Sequence, residues 1–259
     1  MHGKIKKRRD ALLGKEFETN KCGKCFIIDY KGKTDVTVMF YDPIYVTKVS
    51  LGNLKSGKAV NKLARTVYGV GYIGVGQYSK LADERCYTVW SDMLLRAYCD
   101  KFIERNQTYK NVTVCEEWQN FQNFAMWYYN QMYHSGVDDS GCSYHLDKDI
   151  LLKGNKVYSP NTCCFVPPQI NSLLIKNDAR RGELPLGVSY DKERFVFKSV
   201  LNIESKQKFL GRFDTVEEAF AKYKESKEKH IKTVAEKWKD LIDCRAYEAL
   251  MQYKVEITD

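Results

Sequence analysis

The stretch CSYHLDKDILLKGNKVYSPNTCCFVPPQINSLL, residues 142–174, carries the most informative pattern in the chain. His145, Asp147 and Asp149 occupy every second position within residues 142–150. Because side chains alternate between the two faces of a strand, this spacing predicts a strand that carries the three polar residues on one face.

The second half of the stretch predicts a loop, a second strand and a helix. Residues 153–156 contain a glycine and an asparagine, which favour turn geometry. Residues 163–166, CCFV, form a short apolar run that predicts the strand. Pro167 and Pro168 can open a helix, because proline is tolerated in the first helical turn. That helix would carry Asn171.

This order, with a histidine on the first strand and an asparagine on the helix, resembles the HNH, or ββα-metal, nuclease finger. The resemblance implies that His145 activates the attacking water and that Asn161 fixes the shape of the loop. It also implies one divalent metal ion, Mg²⁺ or Mn²⁺, held by Asn171 together with Asp147 or Asp149. Phosphodiester cleavage needs a base with a pKa near neutral and a hard cation beside the phosphate, and this set provides both.

Two departures from the family pattern keep a second interpretation open. Tyr144 stands where the family usually has Asp or His, and Thr162 stands where the loop asparagine usually lies. A single strand histidine beside acidic residues is also common on protein surfaces that catalyse nothing. The alternative is a DNA-binding or regulatory protein with a degenerate finger that does not cleave.

The composition favours a polyanionic partner. The chain has 259 residues, enough for two domains or three small ones, and its formal net charge is +9. We therefore expect double-stranded DNA as the partner. No apolar run approaches the roughly 20 residues of a membrane span, so we expect no membrane partner. Nine cysteines without an apolar secretion signal indicate free thiols in a reducing cytoplasm.

Residues 1–78 predict a basic arm followed by a small antiparallel sheet. The arm, MHGKIKKRRDALL, is either a solvated tail or a phosphate contact. Aromatic and β-branched residues predict strands at 25–30, 35–41 and 45–50. The glycine-rich segment 68–78 is either a loop with close backbone approach or a linker.

The cysteines do not predict a metal site. Cys22 and Cys25 form one CxxC pair, which supplies two of the four ligands that a structural zinc needs. Cys163 and Cys164 are adjacent and poorly spaced for joint ligation. We therefore predict ordinary core thiols rather than a structural Zn²⁺.

Residues 79–141 predict mainly helices, with apolar side chains at helical spacing in residues 87–98 and 120–129. The aromatic-rich blocks here are Trp90 with Met93 and Leu94, residues 109–118, and Phe121 with Phe124 and Trp127. They resemble the segment that precedes the HNH finger in many phage-encoded proteins, and the similarity spans most of residues 87–174. We expect these aromatic side chains to form core rather than a binding surface.

A charged linker at residues 175–184 leads into the last part of the chain. Within it, Arg180 and Arg181 are candidates for contacts with backbone phosphates. Residues 185–232 then predict three short strands and a helix. Residues 233–259 continue as a charged helix that either packs back on the sheet or mediates dimerisation.

This C-terminal region resembles the Apetala-type DNA-binding domain, in which a three-stranded sheet is backed by one helix. The matching pieces are GVSY at residues 187–190, FLGRFDT at 209–215 and EEA at 217–219. The resemblance implies that the sheet enters the major groove. The basic residues that alternation places on the exposed face are Arg194, Lys198, Lys208 and Arg212. Their alternative role is solubility.

Together these patterns predict an α+β protein with three domains. These are a basic arm with a β-rich domain at 1–78, an HNH-like nuclease domain at 79–178, and an Apetala-like DNA-binding domain at 179–259. The predicted function is a site-directed, homing-type DNA endonuclease that hydrolyses phosphodiester bonds with a metal ion. An RNA-binding or host-protein-binding factor is disfavoured, because no aromatic RNP pattern is present. The target sequence and the oligomeric state stay open.

Overall fold

The structure, a computed structural model, describes residues 2–174, 184–203 and 206–258, with side chains from residue 6 onward. It is an α+β protein, as predicted. The chain divides into two compact units, residues 1–130 with 156–159, and residues 131–155 with 160–259. The predicted nuclease domain at 79–178 is therefore shared between the two units.

The first unit contains a four-stranded sheet and several helices. Its helices are α1 (His2–Asp10), α2 (Leu51–Lys55), α3 (Glu84–Tyr98), α4 (Asp100–Arg105), α5 (Glu116–Gln119) and α6 (Phe121–Tyr129). Its strands are β1 (Glu16–Glu18), β2 (Lys24–Gly32), β3 (Asp35–Tyr41), β4 (Ile44–Val49), β5 (Thr113–Val114) and β7 (Val157–Tyr158). The two-residue strands β5 and β7 pair in parallel.

The four-stranded sheet is antiparallel throughout, with the order β1-β2-β3-β4. Val36, Val38 and Phe40 alternate along β3 and are fully buried, so one face of this strand packs into the core. The predicted basic arm is largely the helix α1. Arg9 on that helix forms an ion pair with Asp29, with Nε 3.5 Å from Oδ1.

The helices of the first unit enclose an aromatic core, as expected for these side chains. Trp90 and Trp118 are fully buried, and Trp90 Nε1 donates a hydrogen bond to the Trp118 carbonyl at 2.7 Å. Gln122 holds the glycine-rich loop through hydrogen bonds from its Nε2 to the carbonyls of Ile73 and Tyr78. At Gly74, where φ is +75°, an added Cβ would overlap the Asn120 side chain. The loop is thus one of close backbone approach rather than a linker.

The second unit contains a strand pair with a short helix, and a three-stranded sheet with a long helix. Its elements are β6 (His145–Asp147), β8 (Cys164–Val166), α7 (Pro168–Leu173), β9 (Val188–Asp191), β10 (Val196–Ile203), β11 (Lys206–Phe213), α8 (Val216–Trp238) and α9 (Cys244–Gln252). Strands β6 and β8 are antiparallel, and α7 packs against β6. The strand–strand–helix order predicted for residues 142–174 is therefore present.

The three-stranded sheet has the order β11-β10-β9 and is antiparallel. Helix α8 packs across it, with Phe220 and Tyr223 buried against Leu201. The helix begins where Thr215 Oγ1 accepts a hydrogen bond from the Glu218 amide at 3.2 Å. At Gly187, with φ of +73°, a Cβ would overlap the Tyr223 ring. Glycine at this position therefore allows the chain just before β9 to lie close to α8.

The predicted C-terminal helix is interrupted. Helix α8 ends at Trp238, a short 3₁₀ segment follows, and α9 begins after Asp243, whose carboxylate accepts from the Arg245 amide. All nine cysteines are free, and Cys22 and Cys25 are buried. Across residues 2–174, 184–203 and 206–258, no helix combines the length and apolar content needed to cross a membrane.

Candidate functional site

The strand pair and short helix bring the predicted histidine and asparagine together. His145 opens β6, is exposed, and pairs with the buried Val166 of β8. Asn171 lies one turn into α7, and its amide Nδ2 is 3.3 Å from His145 Nδ1. The two residues are 26 positions apart in sequence, so the fold of the second unit creates this contact.

The contact can set the tautomer of His145. When the Asn171 amide presents its oxygen to a protonated Nδ1, Nε2 keeps a lone pair that can accept a proton. When the amide nitrogen faces an unprotonated Nδ1, the proton resides on Nε2 and that atom cannot act as a base. In the first arrangement, Asn171 orients the imidazole as a third group orients the base in nucleophilic sites.

Asp147 shapes the backbone next to this pair. Its Oδ1 accepts hydrogen bonds from the amides of Asp149, at 2.6 Å, and Ile150, at 2.8 Å. This turn ends β6 at Asp147, which is why the strand is shorter than the predicted residues 142–150. Burial raises the pKa of the Asp147 carboxyl, and the two amide hydrogen bonds oppose that rise.

Asp149 and Asn155 fix the loop that follows. Lys148 is buried, and its ammonium lies 2.6 Å from Asp149 Oδ2 and 3.2 Å from the Asn155 carbonyl. Asn155 Nδ2 in turn donates to the Lys148 carbonyl at 2.9 Å. A buried ammonium requires such partners, so Asp149 has a structural task. These bonds make Asn155 a brace of this loop, whereas Asn161, the predicted brace, is exposed in the turn before β8.

The predicted metal ligands are only partly gathered. Among the described residues, no group of three His, Cys, Asp or Glu side chains is arranged to hold a metal ion. Asp147 Oδ1 and Asp149 Oδ2 are engaged in the turn and the ion pair, whereas Asn171 faces His145. A Mg²⁺ ion here would rely on Asn171, water and substrate phosphates, without the one or two carboxylates that commonly hold this ion.

Asp138 is a charged neighbour of His145 that the sequence pattern did not identify. Its Oδ1 accepts from Ser140 Oγ at 2.6 Å and from the Cys142 amide at 2.8 Å. The Ser140 hydroxyl is the main cause of the lowered pKa of Asp138, and the positive charge of His145 adds to it. The sequence signal is an Asp followed two residues later by Ser, typical of a turn.

Tyr144 has a packing role. It is buried, and its ring meets that of Trp238 edge-to-face at a centroid distance of 6.3 Å. Tyr144, directly before β6, is buried whereas His145 is exposed, so the two neighbouring side chains lie on opposite sides of the backbone. Thr162, the second departure from the family pattern, is half-buried in the turn before β8.

The three-stranded sheet brings two predicted DNA contacts together. Lys198 of β10 pairs directly with Arg212 of β11 and with Ser189 of β9, on the face opposite α8. Asp191, itself buried, binds both cations, with Oδ2 2.9 Å from Lys198 Nζ and 3.5 Å from Arg212 Nε. The Lys198 hydrogen bond lowers the pKa of the Asp191 carboxyl, which keeps it ionised at neutral pH.

The other predicted basic contacts are placed differently. Lys208 pairs with the buried Leu201, so it lies on the α8 side of the sheet, because the register shifts between Ser199 and Val200 and reverses the alternation. The prediction that Lys208 shares a face with Arg212 is therefore wrong. Arg194 is exposed in the turn between β9 and β10. Arg180 and Arg181 lie outside the described residues.

An aromatic side chain completes the open face of the sheet. Phe209 is 52% exposed, and the Arg212 guanidinium lies 5.1 Å from its ring centroid. Phe209 pairs with Val200, on the same face as Lys198. The sequence did not identify Phe209 as a surface residue because its alternation with Arg212 depends on the bulge.

Comparison with known proteins adds no relative. A scan against protein-family models, a search of curated proteins and a search of solved structures each gave no match to this chain.

Proposed function

We propose that this chain is a metal-dependent DNA endonuclease of the HNH type, with His145 as the general base. The observation that carries the proposal is the His145–Asn171 contact at 3.3 Å within a strand–strand–helix unit. The basic, partly aromatic face of the three-stranded sheet supports DNA as the substrate. Free thiols at all nine cysteines fit a cytoplasmic location.

The proposed mechanism assigns roles to three side chains, those of His145, Asn171 and Asp138. His145 is exposed, so a water molecule and a phosphodiester can both reach its ring. Nε2 would accept a proton from the attacking water in the arrangement in which the Asn171 amide oxygen accepts a hydrogen bond from Nδ1–H, which reverses the amide relative to the 3.3 Å contact described above. The negative charge of Asp138 would favour the positive charge that forms on His145. A divalent ion bound by Asn171 would supply positive charge beside the phosphate.

A plasmid-nicking assay tests the proposal. Purified protein is incubated with supercoiled plasmid and Mg²⁺, Mn²⁺ or EDTA, and relaxed and linear products are measured over time. The parent should cleave with metal and not with EDTA. His145→Gln should slow cleavage by about 10²–10⁴-fold, while His134→Gln, at a histidine hydrogen-bonded to the Gln131 carbonyl, should behave as the parent. Equal rates for parent and His145→Gln would remove His145 from the role of base.

A second candidate function is a DNA-binding protein that does not cleave. The observation that favours it is the structural use of both aspartates, since Asp147 Oδ1 accepts backbone hydrogen bonds and Asp149 pairs with Lys148. In this case the parent binds duplex DNA but produces no nicks with either metal. The same assay, read together with a binding measurement, separates the two functions.

A further inference from the structure

The first unit has an open cleft of about 580 Å³ beside the edge strand β4. One wall is β4, and the other is the irregular segment at residues 58–62. The two walls are connected by the hydrogen bond from Asn61 Nδ2 to the Pro43 carbonyl, at 2.8 Å. None of the residues assigned above to catalysis or to the three-stranded sheet lines this cleft.

Lysines line both walls of the cleft. Lys48 lies on β4, and Lys58 and Lys62 lie on the opposite segment. Asp35 is the single acidic residue in the lining, and it pairs with Lys48 at 3.4 Å. Lys58 and Lys62 are exposed and have no carboxylate partner among the described residues. The cleft therefore keeps a positive charge that nothing in the described part of its own unit neutralises.

The excess of lysine extends beyond the lining. Between residues 31 and 64 the chain has six lysines and two aspartates, a net charge of +4, with no arginine or glutamate. One aspartate is the Asp35 already paired, and the other, Asp42, is in the turn between β3 and β4. This local charge is large for a segment of such length and would attract an anion from solution.

The side chains that line the cleft indicate which kind of anion it would bind. Lysine acts as a point charge for phosphate, whereas bidentate recognition of carboxylates or guanine favours arginine. Hydroxyls of Thr34 and Thr47 also line the cleft, and such groups commonly contact phosphate and sugar oxygens. Lys58 and Lys62 are at most about 14 Å apart along an extended chain. Charges so spread on two walls suit a chain of phosphates better than a single phosphate.

We propose that this lysine cleft binds the sugar–phosphate backbone of a nucleic acid without reading its sequence. That the nucleic acid is DNA rests on the function proposed above. The cleft would hold the substrate through Lys58 and Lys62, with Lys48 positioned by Asp35. It would add affinity that depends on salt and not on the base sequence.

Two matched double variants of the full chain test the proposal. Lys58→Gln with Lys62→Gln removes two charges from the cleft. Lys21→Gln with Lys24→Gln removes two exposed charges of the same unit from the β1–β2 region, outside the cleft. Affinity for two fluorescent duplexes of unrelated sequence is measured by anisotropy over a range of salt concentrations. Circular dichroism and thermal melting establish that each variant folds.

The cleft variant should bind both duplexes at least about tenfold more weakly at 0.1 M salt, and its log–log salt dependence should be shallower by about 1.8. The Lys21/Lys24 variant should bind nearly as the parent does. Lysine acetylation of the parent, followed by mass spectrometry, should show Lys58 and Lys62 protected by DNA. That protection should persist when Lys198 and Arg212 are both changed to Gln, which makes the result independent of the sheet.

Three outcomes would overturn the proposal. One is equal affinity of the cleft variant, the matched control and the parent, with Lys58 and Lys62 unprotected. In that case the sheet can still bind DNA and the nuclease function stands. Another is displacement of DNA from the cleft by polyglutamate at equal charge concentration, which would identify an acidic protein as the ligand. The last is a loss of affinity in the cleft variant that differs between the two duplexes of unrelated sequence. If the parent protein does not nick DNA while Lys58 and Lys62 are still protected by DNA, only the proposed endonuclease function is contradicted.

Discussion

Asn171 can serve His145 or a metal ion, and the two roles respond differently to Mn²⁺. Its amide is 3.3 Å from His145 Nδ1, so the geometry favours orientation of the imidazole. We expect Asn171→Ala to slow cleavage by about 10–10²-fold, the range for the loss of an orienting partner, and the rate to stay low when Mn²⁺ is raised. The measurement is the nicking rate against Mn²⁺ concentration. Recovery at high Mn²⁺ would show that Asn171 acts as a metal ligand.

A substitution at Asp147 separates the effect of its hydrogen bonds on stability from the effect of its charge. Asn keeps an oxygen that accepts from the Asp149 and Ile150 amides, but it carries no charge to desolvate. Because the folded pKa of Asp147 is raised, its ionisation weakens the fold as pH rises through that pKa. Asp147→Asn should therefore raise Tm at about pH 7 and leave it unchanged near pH 3, where Asp is protonated in both states.

Asp147→Ala is the matched control for this experiment. It removes both hydrogen bonds of the turn and should lower the free energy of unfolding by about 1–3 kcal/mol at every pH. A lower Tm for Asp147→Asn at pH 7 would mean that the ionised carboxylate stabilises the fold, contrary to the effect expected of burial. Thermal melting gives Tm and urea unfolding gives the free energy of unfolding, both monitored by circular dichroism.

Some residues of the candidate site were identified from the sequence, and others were not. The resemblance identified His145 and Asn171, and the fold brings them into contact. It did not identify Asn155, since which asparagine braces a loop depends on the backbone path between residues 148 and 155. Nor did the alternation of His145 with Asp147 show that the aspartate would turn toward its own backbone. Hydrogen bonds between neighbouring residues have no periodic signature in a sequence.

On the face of the three-stranded sheet opposite α8, one buried carboxylate binds both Lys198 and Arg212, and this arrangement would limit the attraction of that face for DNA. Asp191→Asn removes the negative charge that binds Lys198 and Arg212. We expect the variant to bind duplex DNA more tightly, by up to about eightfold at 0.1 M salt, the effect of one further released counterion. Its Tm should be lower, because two cations lose their partner. Fluorescence anisotropy and thermal melting measure the two effects.

The contrasting variants for this face are Lys198→Gln with Arg212→Gln, and Lys208→Gln alone. The first pair should weaken binding, whereas Lys208 lies on the other side of the sheet and its loss should have little effect. If Lys208→Gln weakens binding as much as the pair does, the face opposite α8 is not the DNA contact. An unchanged affinity for Asp191→Asn would point to the same conclusion.

Elements with a long, regular pattern were predicted well, and short or irregular ones were not. The alternation in β3 and the helical spacing in α3 and α8 extend over seven or more residues, so burial of one face determines the structure. Strands β5 and β7 have two residues each and form through their partner. The bulge in β11 reverses the face of Lys208 by adding one residue, a change that composition does not reveal.

The charge of the whole chain predicts how strongly binding should depend on salt. The formal net charge is +9, and two separate groups of basic residues, the sheet face and the lysine cleft, carry part of it. Each phosphate contact releases about 0.9 counterion from duplex DNA. If Lys198, Arg212, Lys58 and Lys62 each make one contact, the log–log salt dependence of the parent should have a slope of about −3.6 or steeper.

The same reasoning predicts additivity between the two groups. Each double substitution should make the slope shallower by about 1.8, and the fourfold variant should lose about 3.6, provided that one duplex contacts both groups at once. A fourfold variant that loses no more than either pair would show that the two groups bind separate DNA molecules. Binding by the parent that is insensitive to salt, or absent at low salt, would contradict DNA as the partner, because a protein that neutralises phosphates must release counterions.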